Sequence, residues 1–111
     1  MHEMSIATSI LEIAEQSMDG HDQLLSISVD IGELAGVEFE ALEFCFQALQ
    51  KSSRYPDLTL HINRIPGEGK CKKCESTVAM EDMFMVCPEC GQYAVEPVRG
   101  REMKVTSIEV E

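Results

Sequence analysis

Residues 71–90 read CKKCESTVAMEDMFMVCPEC, two Cys-x-x-Cys pairs (Cys71/Cys74 and Cys87/Cys90) separated by twelve residues, 75–86. Each pair sets two thiolates within one tight turn. Two such turns face to face supply the four sulfurs at ~2.3 Å that a tetrahedral Zn(II) requires. The connection is slightly shorter than in the generic four-cysteine pattern, but the local turns fit. In Cys87-Pro88-Glu89-Cys90-Gly91 the proline presets the turn and the glycine follows the second cysteine; Cys71-Lys72-Lys73-Cys74-Glu75 lacks that glycine. Paired disulfides and a redox Cys-x-x-Cys are the other readings. Residues 1–20 carry no basic n-region or cleavage site that would send the chain to an oxidising compartment. No strand-to-helix context surrounds either pair, so zinc is expected. With cysteine at all four positions no slot is left for water, which points to a structural metal, since catalytic zinc keeps an open position.

Outward from this block, residues 67–100 are too polar and too short to fold on a core of their own, and metal binding is expected to supply what burial does not. The chain has 111 residues, room for one modest domain plus a metal-stapled module. Its long apolar periodic segments lie almost all in residues 1–66. Ile6, Ala7, Ile10, Leu11, Ile13, Ala14 and Met18 mark an amphipathic helix over 4–19, closed by Asp19-Gly20. Leu25, Ile27, Val29 and Ile31 alternate with Ser26, Ser28 and Asp30 as a half-buried strand. A second helix is expected over 37–53 on the stripe Phe39, Leu42, Cys45, Phe46 and Leu49, with Glu38 and Glu40 in its first turn and Lys51 near its end. Leu58, Leu60 and Ile62 mark a second strand, and Met103, Val105, Ile108 and Val110 a third. Pro66-Gly67-Glu68-Gly69 is expected to break the pattern. The expected fold class is α+β: a small three-stranded sheet with two helices, residues 1–66 and 101–111, carrying an inserted zinc ribbon, residues 67–100.

Nine Lys plus Arg against twenty Asp plus Glu leave a net charge of −11, which disfavours nucleic acid and favours cations or basic partner proteins. No apolar run is long enough for a bilayer, and a cytoplasmic protein is expected. Phosphate loops, nucleophile elbows and His-Glu-x-x-His are all missing from the sequence, so no enzyme is expected. One stretch outside the cysteines could do metal chemistry. Met1-His2-Glu3 offers an α-amine, a backbone amide and an imidazole, an N-rich donor set suited to Ni(II) or Cu(II), with the Glu3 carboxylate as a donor or as a group that orients His2. Taken alone, His2 reads more simply as an exposed residue before a helix.

The opening MHEMSIATSILEIAE, the passage DIGELAGVEFEALEFCF, the cysteine block and the closing IEVE together resemble the HypA/HybF family of hydrogenase nickel-incorporation proteins, across essentially the whole chain. The resemblance implies a nickel metallochaperone working with a HypB-type GTPase on the large subunit of [NiFe]-hydrogenase, some members also serving urease and its maturation proteins. It implies transferable Ni(II) on His2 with Met1 and Glu3 as adjoining donors, structural Zn(II) on Cys71, Cys74, Cys87 and Cys90, and Glu40 as a further carboxylate candidate. The monomer and the homodimer both stay open. The competing expectation is an acidic zinc-ribbon adaptor that binds a protein partner and carries no transferable metal.

Overall fold

A computed structural model of the chain describes residues 2–111. The elements in order are α1 (Glu3–Gln16), β1 (Leu24–Gly32), α2 (Phe39–Ser52), β2 (Thr59–Ile65), β3 (Gly67–Cys71), β4 (Thr77–Met80), β5 (Val95–Arg99) and β6 (Met103–Val110). They form two three-stranded sheets, of order β2-β1-β6 and β4-β3-β5. The chain divides into two compact units. One takes the N-terminal residues through Asp30, Val37–Asn63 and Lys104–Glu111; the other takes Ile31–Gly36 and Arg64–Met103. Among the described residues no helix is long and apolar enough to cross a membrane.

In the first unit each helix buries part of the stripe that its periodicity marks, Ile6, Ala7, Ile10 and Ala14 on α1 and Leu42 and Phe46 on α2, while Ile13 is exposed and Phe39, Cys45 and Leu49 are half-buried. The helices pack on one another. Leu24, Ile27 and Val29 of β1 are buried as well, and the polar positions of the sheet bond laterally. The buried Ser26 hydroxyl donates to Glu109 Oε1 at 2.7 Å, and Asn63 Nδ2 donates to Asp30 Oδ1 at 3.0 Å. α1 stops at Gln16, short of the expected Asp19-Gly20, because the Ser17 hydroxyl turns back to the Ile13 carbonyl at 2.9 Å and the Ser17 N–H bonds Ala14. Asp19 and Gly20 then both take positive φ, 51° and 85°, to make the reversal into β1.

Tyr55, 4 % exposed, closes the end of this core, its hydroxyl donating to Glu15 Oε2 of α1 at 2.8 Å. Burial, and then the Glu15 carboxylate, raise the Tyr55 pKa above the usual 10. A raised folded-state value means that this tyrosine contributes stability fully at pH below about 10, and that the contribution is lost as pH rises through the folded value. Tyr55→Phe is expected to cost about 1.5 kcal/mol at neutral pH, the worth of a hydrogen bond to a charged acceptor. It should also flatten the alkaline limb of stability; urea melts at pH 7 and 10.5 check both.

The second unit departs most from what its sequence suggests. Gly67-Glu68-Gly69 does not break the chain there. It is part of β3, the central strand of the second sheet, pairing antiparallel with β4 (Gly67 opposite Met80) and with β5 (Lys70 opposite Glu96). The glycines sit there because neighbours leave no room for a side chain: a Cβ on Gly67 would meet the Met80 carbonyl, and one on Gly69 would meet Met80 Sδ and Val95 Cγ1. Pro97 stands on the edge strand β5, beside the register shift at Glu68/Gly69, where a missing N–H costs least. The Pro97–Gly100 segment is close-packed too. Gly32 N–H donates to the Glu102 carbonyl at 2.8 Å and Leu34 N–H to the Gly100 carbonyl at 2.7 Å. Gly100 has φ +109°, and its Cβ would lie 2.6 Å from the Gly67 Cα. A Cβ on Gly32 would overlap the Gly100 carbonyl group itself. Gly32→Ala must therefore push main chain apart, and a loss of about 3 kcal/mol or more is expected, read as a lowered denaturation midpoint.

Candidate metal centres

The four ribbon cysteines come from two knuckles of matching construction. Glu75 N–H donates to the Cys71 carbonyl at 2.9 Å, and Gly91 N–H to the Cys87 carbonyl at 2.8 Å. Cys71 N–H reaches the Ser76 carbonyl at 3.0 Å, and Cys87 N–H the Gln92 carbonyl at 2.9 Å. The residue after each second cysteine is left-handed, with φ 63° at Glu75 and 74° at Gly91. The first turn thus takes the same shape without the glycine. Glu75 carries the steric cost of an L residue in that region, about 1 kcal/mol.

This construction brings Cys71, Cys74, Cys87 and Cys90 together, with all four sulfurs within 4.8 Å of one another. Across the two knuckles Cys71 Sγ lies 3.6 Å from Cys90 Sγ, and Cys74 Sγ lies 3.7 Å from Cys87 Sγ. A metal held by four sulfurs at ~2.3 Å gives tetrahedron edges of ~3.8 Å, whereas a disulfide is ~2.05 Å long. The thiols are free and spaced for a tetrahedral ion. Cys71 and Cys87 are 0 % and 1 % exposed and form a small apolar cluster with Val78, against which Met85, Ala94 and Val95 pack.

The electrostatics match that geometry. Donors lower two thiols: Cys74 falls to about 6 through Ser76, whose Oγ lies 3.4 Å from its sulfur, and Cys71 falls through the Cys74 backbone N–H, with Lys73 N–H donating at 3.4 Å. At Cys90 the Gln92 N–H pulls downward, but burial and the three neighbouring sulfurs outweigh it and push the thiol up to about 12. A divalent cation held by the four sulfurs would favour their thiolate forms. The residues fit a structural Zn(II), and a closed sulfur set offers it no open position for catalysis.

The second sequence candidate lies at the chain start. Met1 is outside the described residues. His2 is the N-cap of α1, exposed, with φ −90° and ψ 97°, and its side chain makes no capping hydrogen bond, so the helix leaves the imidazole uncommitted. Glu3 opens α1, and its Oε2 accepts the Glu38 N–H at 3.2 Å. That bond holds the Glu3 carboxyl below the usual carboxylate range. Glu38 is the N-cap of α2, its own Oε1 accepting the Glu40 N–H at 3.2 Å. Glu3 is thereby tied to the start of α2, where Glu38 and Glu40 stand. Sequence reasoning places Glu38 only as a favourable charge at a helix start. Its role as Glu3's partner has no local signal across thirty-five residues. Ser76, beside Cys74, was likewise missed.

Residues 1–110 match the profile of the HypA family, described as hydrogenase/urease nickel incorporation, metallochaperone. The chain belongs to the HypA family. Relatives agree along its whole length. The hydrogenase maturation factor HypA of Geobacter sulfurreducens is 42% identical over 111 residues, covering 100% of both chains. That of Rhizobium leguminosarum bv. viciae is 40% identical over 112 residues, covering 99% of each. In fold, this HypA-family chain resembles the solution structure of the Ni metallochaperone HypA from Helicobacter pylori, with a TM-score of 0.67 at 24% identity, covering 99% of this chain and 97% of that one. A second HypA solution structure gives the same TM-score at 25% identity, with 100% and 97% covered.

Proposed function

We propose that this protein is a nickel carrier: it takes up one Ni(II) at its N-terminal residues and gives it up during maturation of a [NiFe]-hydrogenase, with urease as a further acceptor. Membership of the HypA family along the full chain is the observation that carries this reading. His2 supplies the imidazole donor, with Met1 and Glu3 as adjoining groups. Zn(II) sits on Cys71, Cys74, Cys87 and Cys90 as a structural ion. Nickel handling falls to residues 1–66 with 101–111, and zinc binding to 67–100.

The division follows ligand chemistry. Four thiolates hold a borderline-soft ion permanently, whereas an exposed imidazole with nitrogen and oxygen neighbours binds a divalent ion firmly but exchanges ligands one at a time. A carrier needs the second kind of site for its cargo. The net charge of −11 favours approach of divalent cations and of basic partner surfaces. The acceptor machinery we infer is a HypB-type GTPase and the hydrogenase large subunit, in the cytoplasm, with the protein acting as carrier and not as catalyst. Isothermal titration of the zinc-loaded chain with Ni(II) tests the reading. One nickel per chain, bound without displacing zinc, is expected; nickel that binds only by expelling zinc from the cysteines would overturn it.

A further inference from the structure

We propose that the ribbon is also a peroxide-responsive clip: a hydroperoxide oxidises its four cysteines to two disulfides that each join one knuckle to the other, and the metal is released. Cys74 pairs with Cys87, and Cys90 with Cys71. The proposal rests on the zinc part of the reading above and is independent of nickel.

The four sulfurs are not equivalent. Cys74 and Cys90 are exposed, whereas Cys71 and Cys87 are buried. The buried pair belongs to the apolar cluster with Val78, packed by Met85, Ala94 and Val95. Backbone bonds from Cys71 to the Ser76 carbonyl and from Cys87 to the Gln92 carbonyl fix it in place. Each knuckle thus offers one sulfur to solvent and keeps one inside. The contacts across the site join the two kinds. Exposed Cys74 Sγ lies 3.7 Å from buried Cys87 Sγ, and exposed Cys90 Sγ lies 3.6 Å from buried Cys71 Sγ. An oxidant reaches only the outer sulfurs. Each outer sulfur has an inner one in the opposite knuckle, which a shift of about 1.6 Å would bring to the ~2.05 Å of a disulfide. Hydrogen peroxide is small and uncharged, so the net charge of −11 does not repel it as it repels anionic disulfide oxidants.

The clip is permanent only while all four sulfurs are thiolates, and thiolates are nucleophiles. In the first step an electron pair of the outer sulfur attacks one peroxide oxygen. The O–O bond breaks, a sulfenic acid forms and hydroxide leaves. In the second step the inner thiolate attacks that sulfur. The S–S bond forms, the S–O bond breaks and a second hydroxide leaves. Each disulfide removes two electrons from a sulfur pair and reduces one peroxide to two waters, the hydroxides taking protons from solvent. A disulfide sulfur is no longer a thiolate ligand, so the ion is lost. The two cross-links then take over the task of the metal. They close the chain between residues 74 and 87 and between 71 and 90, which keeps β3, β4 and β5 assembled. A dithiol reductant and Zn(II) restore the original site.

The test treats the zinc-loaded full chain with hydrogen peroxide in the presence of a chromogenic zinc chelator, with a parallel arm in which dimedone traps sulfenic acid. Cleavage after Lys, Arg and Glu leaves each ribbon cysteine on its own fragment, so mass spectrometry reads the pairing. Peroxide should release zinc about tenfold or more faster than chelator alone. Release should keep step with the Cys74 to Cys87 and Cys71 to Cys90 linkages, with dimedone on Cys74 or Cys90. Cys45, outside the four-sulfur cluster, should stay reduced meanwhile. Amide resonances of β3, β4 and β5 should remain dispersed in the oxidised, zinc-free chain. Disulfides within each Cys-x-x-Cys or between chains, or dimedone on buried Cys71 or Cys87, would each overturn the proposal. So would release that follows oxidation of Met85 with the thiols intact, or release no faster than with chelator alone. A purified wild type that holds no zinc is a different result: it removes zinc from the cysteines before any oxidant is added.

Discussion

Cys71→Ser is expected to abolish stoichiometric zinc and to unfold residues 67–100. Cys71 closes the first knuckle and is wholly buried, and its sulfur lies 3.6 Å from Cys90 Sγ. Serine at this position offers neither a thiolate nor the reach of sulfur. The apolar cluster around the site is small, Cys71, Val78 and Cys87 with Met85, Ala94 and Val95. Structural zinc contributes about 10–16 kcal/mol in small metal-stapled peptides at neutral pH, comparable to or larger than the ~5–15 kcal/mol stability of a whole domain. No rearrangement of so small a cluster offsets that loss. Elemental analysis should read well under one zinc per chain. Amide resonances of β3, β4 and β5 should collapse toward random-coil values, while those of α1 and α2, with their own buried stripes, stay dispersed. A variant that kept one zinc and a dispersed second sheet would show that three thiolates and a water suffice. Acid acts in the same direction, because zinc binds thiolates and protons compete for them. Zinc should be released as pH falls and be taken up again as it rises.

His2→Ala is expected to lower nickel affinity by on the order of a hundredfold or more, since losing a donor exceeds the 10–100-fold cost of losing a group that merely orients one. The same change should leave the fold alone. The His2 side chain makes no capping bond, and the residue is exposed, so stability should stay within about 0.5 kcal/mol of wild type. The paired result, affinity lost and melting unchanged, separates a metal site from a structural histidine. Calorimetric titration with Ni(II) and a thermal melt of the same sample supply both numbers. Undiminished affinity would remove nickel from the N-terminal residues.

The helices, β1, β2 and β6 were legible because their apolar residues recur at close to 3.6 or 2, with one slip in β6 between Val105 and Ile108. The ribbon strands were not. Gly67-Glu68-Gly69 has the composition of a turn, yet it runs down the middle of a sheet, where Met80 crowds both glycines and Val95 crowds Gly69. The missing glycine after Cys74 likewise leaves the first knuckle unchanged, because the hydrogen bonds from Glu75 and Cys71 impose the left-handed turn on Glu75. Composition records what a residue prefers in isolation. These positions follow what their neighbours demand.

Periodicity and cysteine spacing are properties of a few neighbouring residues, so helix, strand and the two thiol pairs could be read along the chain before any fold was known. The match of the two knuckles into one four-sulfur cluster is tertiary. So are the packing of Gly32 against Gly100 and the reach of Glu3 to the Glu38 N–H, because each joins residues whose separation in sequence carries no local signal. Closing such contacts costs loop entropy, and only the cooperative burial and bonding of the whole unit offsets it.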